Sequence, residues 1–158
     1  MSAGVYVLLV AVGGALAFGA LRALTDGRFR GTHRVHGAEA SEPAASEPAP
    51  ESLLEGTPWA GQLGEQATLL QFSSAFCAPC RATRRVLGEV ASATPGVAHI
   101  EIDAEQHLDV VRRLGILRTP TTIVLSEHGT EVTRATGAPT KQQVLAAVGA
   151  VTAREDQN

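Results

Sequence analysis

Ala67-Thr68-Leu69-Leu70-Gln71-Phe72, followed by Ser73-Ser74-Ala75 and then Phe76-Cys77-Ala78-Pro79-Cys80-Arg81, is the stretch that decides how this chain folds. Its first six residues form a short apolar run, as expected of a strand buried on both faces. Over 79–93 the spacing becomes helical. Ala82, Val86, Leu87 and Val90 make an apolar stripe, and Arg81, Arg84, Arg85 and Glu89 form the solvated face. Gly88 inside it costs about 1 kcal/mol relative to alanine, and Pro95-Gly96 stops it. Cys77 therefore falls where a strand hands over to a helix N-terminus. Unpaired backbone N–H groups and the helix dipole favour a thiolate there. Cys80 sits one turn deeper, within bonding range, and Pro79 occupies the first turn, where its missing N–H costs nothing. In this arrangement Cys77 attacks a substrate disulfide and Cys80 resolves the mixed disulfide.

The chain has 158 residues and no cysteines beyond this pair. A disulfide-stapled scaffold carries several spread pairs, whereas a bridge across two residues cross-links nothing distant. A zinc site needs two further ligands, and His99, His107 and His128 match no ligand spacing. The cysteines are thus expected to serve reactivity, with no metal and no cofactor. A net charge of -3, with four Phe, one Tyr and one Trp, sets nucleic acid aside as a partner.

Moving outward, residues 97–102 alternate, with Ala98, Ile100 and Ile102 on one face of a second strand. Residues 107–114 form a short helix ending at Gly115. The β-branched run 121–125 connects through Glu127-His128-Gly129-Thr130 to 131–136 as a hairpin. A last helix opens with a capping box, Thr140 and Gln143, and its apolar face is Val144, Leu145, Val148 and Val151. The order β-α-β-α-β-β-α makes the first strands parallel, with right-handed crossovers and helices on both faces.

Leu70-Gln71-Phe72-Ser73, Phe76-Cys77-Ala78-Pro79-Cys80-Arg81, Ile102-Asp103, Gly115-Ile116, Thr119-Pro120-Thr121 and the late Gly137 together resemble the thioredoxin family. The resemblance covers roughly 57–152 and implies an α/β, thioredoxin-like fold with a central mixed sheet. It implies a cis Thr119-Pro120 bond beside the redox sulfurs. Thr119 would offer its backbone to an extended substrate segment, with Phe76, Ala78, Pro79 and Pro120 completing the substrate-binding surface. The family's first strand and helix are not evident, since 52–64 is short and turn-rich. Two departures stand out. Phe76 and Ala78 replace the tryptophan and glycine of the Trp-Cys-Gly-Pro-Cys loop, and Gln71 replaces a buried aspartate thought to take the proton of the resolving cysteine. Glutamine cannot accept a full proton. By the same alignment His99 lies on the adjacent strand. Either His99 acts as base for Cys80, or Gln71 and His99 form a polar core pair without proton transfer. Arg81, Arg84 and Arg118 would ring the site or merely face solvent, and Asp103 is expected to cap the turn after its strand.

Residues 2–21 contain no charged side chain and are long enough to span a bilayer as one helix. A cleaved signal peptide is the rival reading: Ala15-Leu16-Ala17 has the small residues of a cleavage site, but no Lys or Arg precedes the run. Gly13 with Ala17, and Ala15 with Gly19, have the spacing at which two such helices pack. Arg22, Arg28, Arg30 and Arg34 follow the helix, which by the positive-inside rule puts the rest of the chain in the cytoplasm; an extracytoplasmic domain is the alternative. Residues 38–50 are acidic, small and proline-bearing, the composition of a semi-stiff spacer. The expected organisation is a membrane anchor at 1–24, a basic juxtamembrane segment and disordered linker at 25–56, the thioredoxin-like domain at 57–152 and a tail at 153–158.

These readings describe a membrane-tethered thiol–disulfide oxidoreductase. Its expected partners are protein disulfides and an upstream thiol reductant or membrane electron donor. A redox-inert interaction module and an extracytoplasmic thiol oxidant or reductant are the competing classes.

Overall fold

A computed structural model describes residues 3–25, 27–31 and 52–155. The elements in chain order are α1 (Ala3–Thr25), β1 (Phe29–Gly31), β2 (Ala67–Ser73), α2 (Ala78–Ala93), β3 (Val97–Asp103), α3 (Leu108–Arg113), β4 (Thr121–Ser126), β5 (Glu131–Thr136) and α4 (Lys141–Glu155). The strands form one mixed sheet in the order β1-β5-β4-β2-β3. β2 and β3 are parallel, with Gln71 opposite Glu101, and every other pairing is antiparallel.

All seven residues of β2 are buried, because helices or loops cover both faces of the sheet around it. Period-2 alternation sends Leu70 and Phe72 to one side, where they pack with Leu54, Ile100, Ile102, Val110, Leu114 and Ile123. Ala67 and Leu69 go to the other side, against Leu87 and Val90 of α2 and Val144, Ala147, Val148 and Val151 of α4. Helices therefore lie on both faces, as expected.

Two helix faces differ in detail from the expected stripes. In α2 the buried positions are Cys80, Thr83, Leu87 and Val90, while Ala82 is exposed. In α4 the buried set is Val144, Ala147, Val148 and Val151, and Leu145 is largely exposed. Both observed stripes follow the i, i+3, i+7 rule, and the misplaced residue lies about 100° around the helix from a buried one. The capping box closes as its spacing predicts: Gln143 N–H donates to Thr140 Oγ1 (3.3 Å), and Thr140 N–H donates to Gln143 Oε1 (2.8 Å). Asp103 accepts from the Glu105 N–H at 2.9 Å and so caps the turn after β3.

The N-terminal region departs most from expectation. α1 is long and apolar enough to cross a membrane, a test that a signal sequence also passes, and Gly4–Arg22 are not buried against the rest of the protein. The segment after it does not read simply as linker. Phe29–Gly31 form a strand that pairs with β5 along Phe29↔Ala135 and Gly31↔Thr133, and Phe29 packs on the α2–α4 layer. Leu54, ahead of the expected domain start at 57, is fully buried in the opposite layer. The span 52–64 holds turns and a single 3₁₀ turn, Ala60–Gln62. Arg34 and the spacer composition at 38–50 lie outside the described residues.

Candidate active site

β2 ends at Ser73, and the following loop carries the chain to the N-terminus of α2, where Cys77 is the N-cap residue. Cys77 and Cys80 are joined as a disulfide with their Cα atoms 5.2 Å apart. The Cys80 N–H donates to Cys77 Sγ at 3.1 Å, so a first-turn amide already points at that sulfur. The same amide and the helix dipole favour negative charge on Cys77 once the bond is reduced. Cys77 is half-buried and Cys80 is 1% exposed, so an incoming reagent meets Cys77 first. Ala78 and Pro79 are exposed, and Phe76 is 98% exposed.

The loop before β4 lies alongside. Its Thr119-Pro120 bond is cis. Thr119 Oγ1 lies 3.0 Å from Ser74 Oγ, which ties this loop to the one after β2. Gly137, at φ 91°, donates its N–H to the Pro120 carbonyl at 2.8 Å and holds the loop from its other side. Arg84, paired with Glu101, lines the cleft that holds the cysteines, whereas Arg118 donates to Thr136 Oγ1 (2.9 Å) and is not part of that lining. Arg81 lines the cleft beside the disulfide.

Behind Cys80 lies a polar network. Gln71, fully buried, donates through Nε2 to the Cys80 carbonyl (3.0 Å) and to Ser73 Oγ (2.8 Å). A carbonyl only accepts, which fixes the orientation of the amide. Gln71 Oε1 is then the acceptor facing His99 Nε2 at 3.1 Å, and His99 must donate from that nitrogen. This contact has the geometry of the polar core pair; a base role for His99 would fall to Nδ1.

The network extends to Glu101, which sequence reasoning did not single out. Ser73 Oγ donates to Glu101 Oε1 at 2.5 Å, and Arg84 grips the same carboxylate from α2 through Nη2 (2.7 Å) and Nε (2.5 Å). Burial alone would push Glu101 up. The hydrogen bonds from Arg84 and Ser73 and the Arg84 charge outweigh it, holding the carboxyl below the usual carboxylate range. His99 is pushed down from its usual 6.5 by burial, a shift partly offset by the Glu101 charge and reinforced by Arg84. The alternation of β3 was the available signal, because it places His99, Glu101 and Asp103 on one face. Glu101, Ser73, Arg84 and both cysteines line a cleft of about 290 Å³.

Among the described residues, the other histidines, His107 and His128, lie apart from the site. His107 stacks edge-on against Trp59 at 4.8 Å, and His128 sits beside Glu127 in the β4–β5 turn.

Comparison with known proteins points one way. The family model described as Thioredoxin matches residues 54–150. A Thioredoxin H-type of Fagopyrum esculentum is 31% identical over 70 residues, 44% of this chain and 60% of the relative. Thioredoxin-2 of Pyricularia oryzae is 31% identical over 78 residues, 49% of this chain and 45% of the relative. The chain thus covers less than two thirds of either relative. Among solved structures, thioredoxin F from spinach chloroplast superposes with a TM-score of 0.53 at 23% identity, covering 63% of this chain and 88% of that one. A Nicotiana alata thioredoxin gives 0.52 at 23% identity, covering 69% and 98%. At these identities the structural likeness is one of fold.

Proposed function

The chain belongs to the thioredoxin family, and from that premise we propose that it is a membrane-tethered thiol–disulfide oxidoreductase that reduces protein disulfides. One observation carries the reading: a disulfide at the start of α2 whose outer sulfur already accepts a helix N–H and whose inner partner is buried.

In the reduced protein the Cys77 thiolate attacks one sulfur of a substrate disulfide. That S–S bond breaks and a mixed disulfide with Cys77 forms. Cys80 then loses its proton and attacks Cys77 Sγ, expelling the substrate's first sulfur as a thiolate. The products are a substrate dithiol and the Cys77–Cys80 disulfide, a two-electron exchange, and a dithiol donor then reduces that disulfide while itself becoming oxidised. Thr119 and Pro120 present backbone to an extended substrate segment, while Phe76, Ala78 and Pro79 supply the rest of the contact surface. α1 serves as a retained anchor. The arginines after it, Arg22 and Arg28 among them, favour a cytoplasmic domain by the positive-inside rule.

The experiment that tests the reading is equilibration of the detergent-solubilised full chain against glutathione buffers. A Cys77–Cys80 potential near about −270 mV is expected for a reductase. A value of about −120 to −180 mV would instead favour an extracytoplasmic oxidant. Absence of any reversible couple would leave only a redox-inert interaction module.

The polar network supports a second expectation. A histidine depressed in the fold stabilises it fully above its unfolded value of 6.5, and that contribution is lost as pH falls through the lower folded value. Stability should therefore decline with acidification below 6.5, and His99→Gln should flatten that decline in urea-unfolding midpoints measured against pH. With His99 and Gln71 acting as a polar core pair, Nε2 donating to Oε1 and no proton passing through Nδ1, the same variant should leave the pH profile of disulfide exchange in place. A displaced profile would make His99 the base for Cys80.

A further inference from the structure

The order of α1, β1 and β5 decides which end of the domain meets the membrane. α1 ends at Thr25, and two residues later the Gly27 N–H already donates to the Thr136 carbonyl at 2.7 Å. Gly27 is buried at φ 75°, and a Cβ there would lie 2.3 Å from the Ala138 carbonyl oxygen, so the chain is seated tightly at this point. With at most about 3.6 Å per residue, the end of α1 lies within about 7 Å of Gly27. β1 then pairs antiparallel with β5, so the chain enters the sheet at the end where β5 finishes.

Thr136 is the last residue of β5, opposite Thr121, the first of β4. Thr121 follows the cis Thr119-Pro120 bond and lies opposite Phe72, near the end of β2 that leads to Cys77. Two strand spacings, about 10 Å, separate Thr136 from Phe72 along this end of the sheet. The turn at 127–130 lies at the other end, six residues of β5 away, or about 20 Å. The exit of α1 and the disulfide thus share one end of the domain. That end also carries Phe76 and Leu117, which are 98% and 96% exposed and flank Cys77 and the Thr119-Pro120 loop in sequence. A flexible tether of some twenty residues would let the domain sample roughly 25 Å and every orientation. Here β1 docks before residues 32–51, so that stretch does not separate α1 from the sheet.

We infer that β1 is a clamp that turns the Cys77–Cys80 end toward the bilayer, and that the substrate is a disulfide of an integral membrane protein held close to the membrane surface. This rests on the reading of α1 as a retained span and of the cysteines as a redox pair. The reduced pair gives two electrons and two protons to the partner's disulfide and is itself oxidised; an external dithiol restores it.

The test uses the full chain in phosphatidylcholine vesicles, reduced with dithiothreitol and freed of excess reagent. Single-turnover rates are measured with three probes that carry the same disulfide loop: on a membrane-spanning peptide directly at the bilayer surface, on that peptide beyond a long hydrophilic spacer, and on a soluble peptide. The surface-held loop should react about tenfold faster than the spaced one, and the ratio should fall below about twofold in Gly27→Val, with the soluble rate unchanged. Should Gly27→Val fail to fold, a Gly/Ser stretch inserted between Thr25 and Asp26 keeps β1 intact, and it should abolish the same preference. Equal rates for the surface-held and spaced loops in the native chain overturn the inference alone. Failure to react with the soluble loop, or failure of the chain to float with the vesicles, overturns the underlying reading and the inference with it.

Discussion

Cys77→Ser is expected to abolish disulfide exchange, while Cys80→Ser is expected to stop it one step later, with substrate trapped on the protein. The two outcomes differ because the sulfurs stand in different places. Cys77 is half-buried at the helix N-cap, where the Cys80 N–H and the dipole favour its thiolate. A serine hydroxyl there stays protonated at neutral pH and is a weak nucleophile, so no mixed disulfide forms. Cys80 is almost fully buried and bonded to Cys77, so its loss leaves attack intact and removes resolution. Incubation with a disulfide peptide followed by non-reducing mass spectrometry separates the cases. Cys80→Ser should gain the mass of one peptide chain and Cys77→Ser none. A stable adduct on Cys77→Ser would reverse the assignment.

Phe72→Ala should cost about 3–5 kcal/mol, a large share of the roughly 5–15 kcal/mol typical of a whole domain. Phe72 is fully buried on the central strand and packs among Leu54, Leu70, Ile102 and Ile123. Truncation removes the transfer free energy of the ring and leaves a cavity that strands on either side keep from collapsing. Phe76, four positions later, is the internal control. Its side chain is 98% exposed, so Phe76→Ala should change stability by no more than about 0.5 kcal/mol. Urea midpoints for the two variants check both halves, and a Phe72→Ala midpoint equal to that of Phe76→Ala would contradict the packing described.

The contrast between these phenylalanines also shows what could be read from the chain without coordinates. β2 and α2 were legible because each has a strong pattern: an unbroken apolar run, then a helical repeat begun by Cys-Ala-Pro-Cys and stopped by Pro95-Gly96. The helix faces were legible only to within one position, since Ala82 and Leu145 are apolar yet sit beside the buried stripe. β1 could not be seen at all. Three residues are too few to show alternation, and the strand they pair with lies about a hundred positions away. Glu101 was passed over for a related reason. As a single acidic residue in a strand it reads as a solvated face, and its place in the site arises from two partners, Ser73 and Arg84, that only folding brings to it.

The pairing of β1 has one more consequence, for the solubility of the domain itself. A sheet ending in β5 would present a row of unpaired backbone amides and carbonyls, a template on which a second copy can add its own strand. β1 fills that row along Phe29↔Ala135 to Gly31↔Thr133. Cutting the chain after the apolar helix and before Ser52 to obtain a convenient soluble fragment would strip this cover away and bare the six residues of β5, so the same three residues that follow α1 also leave that side of the sheet with a short edge, a poorer template for a neighbour's strand.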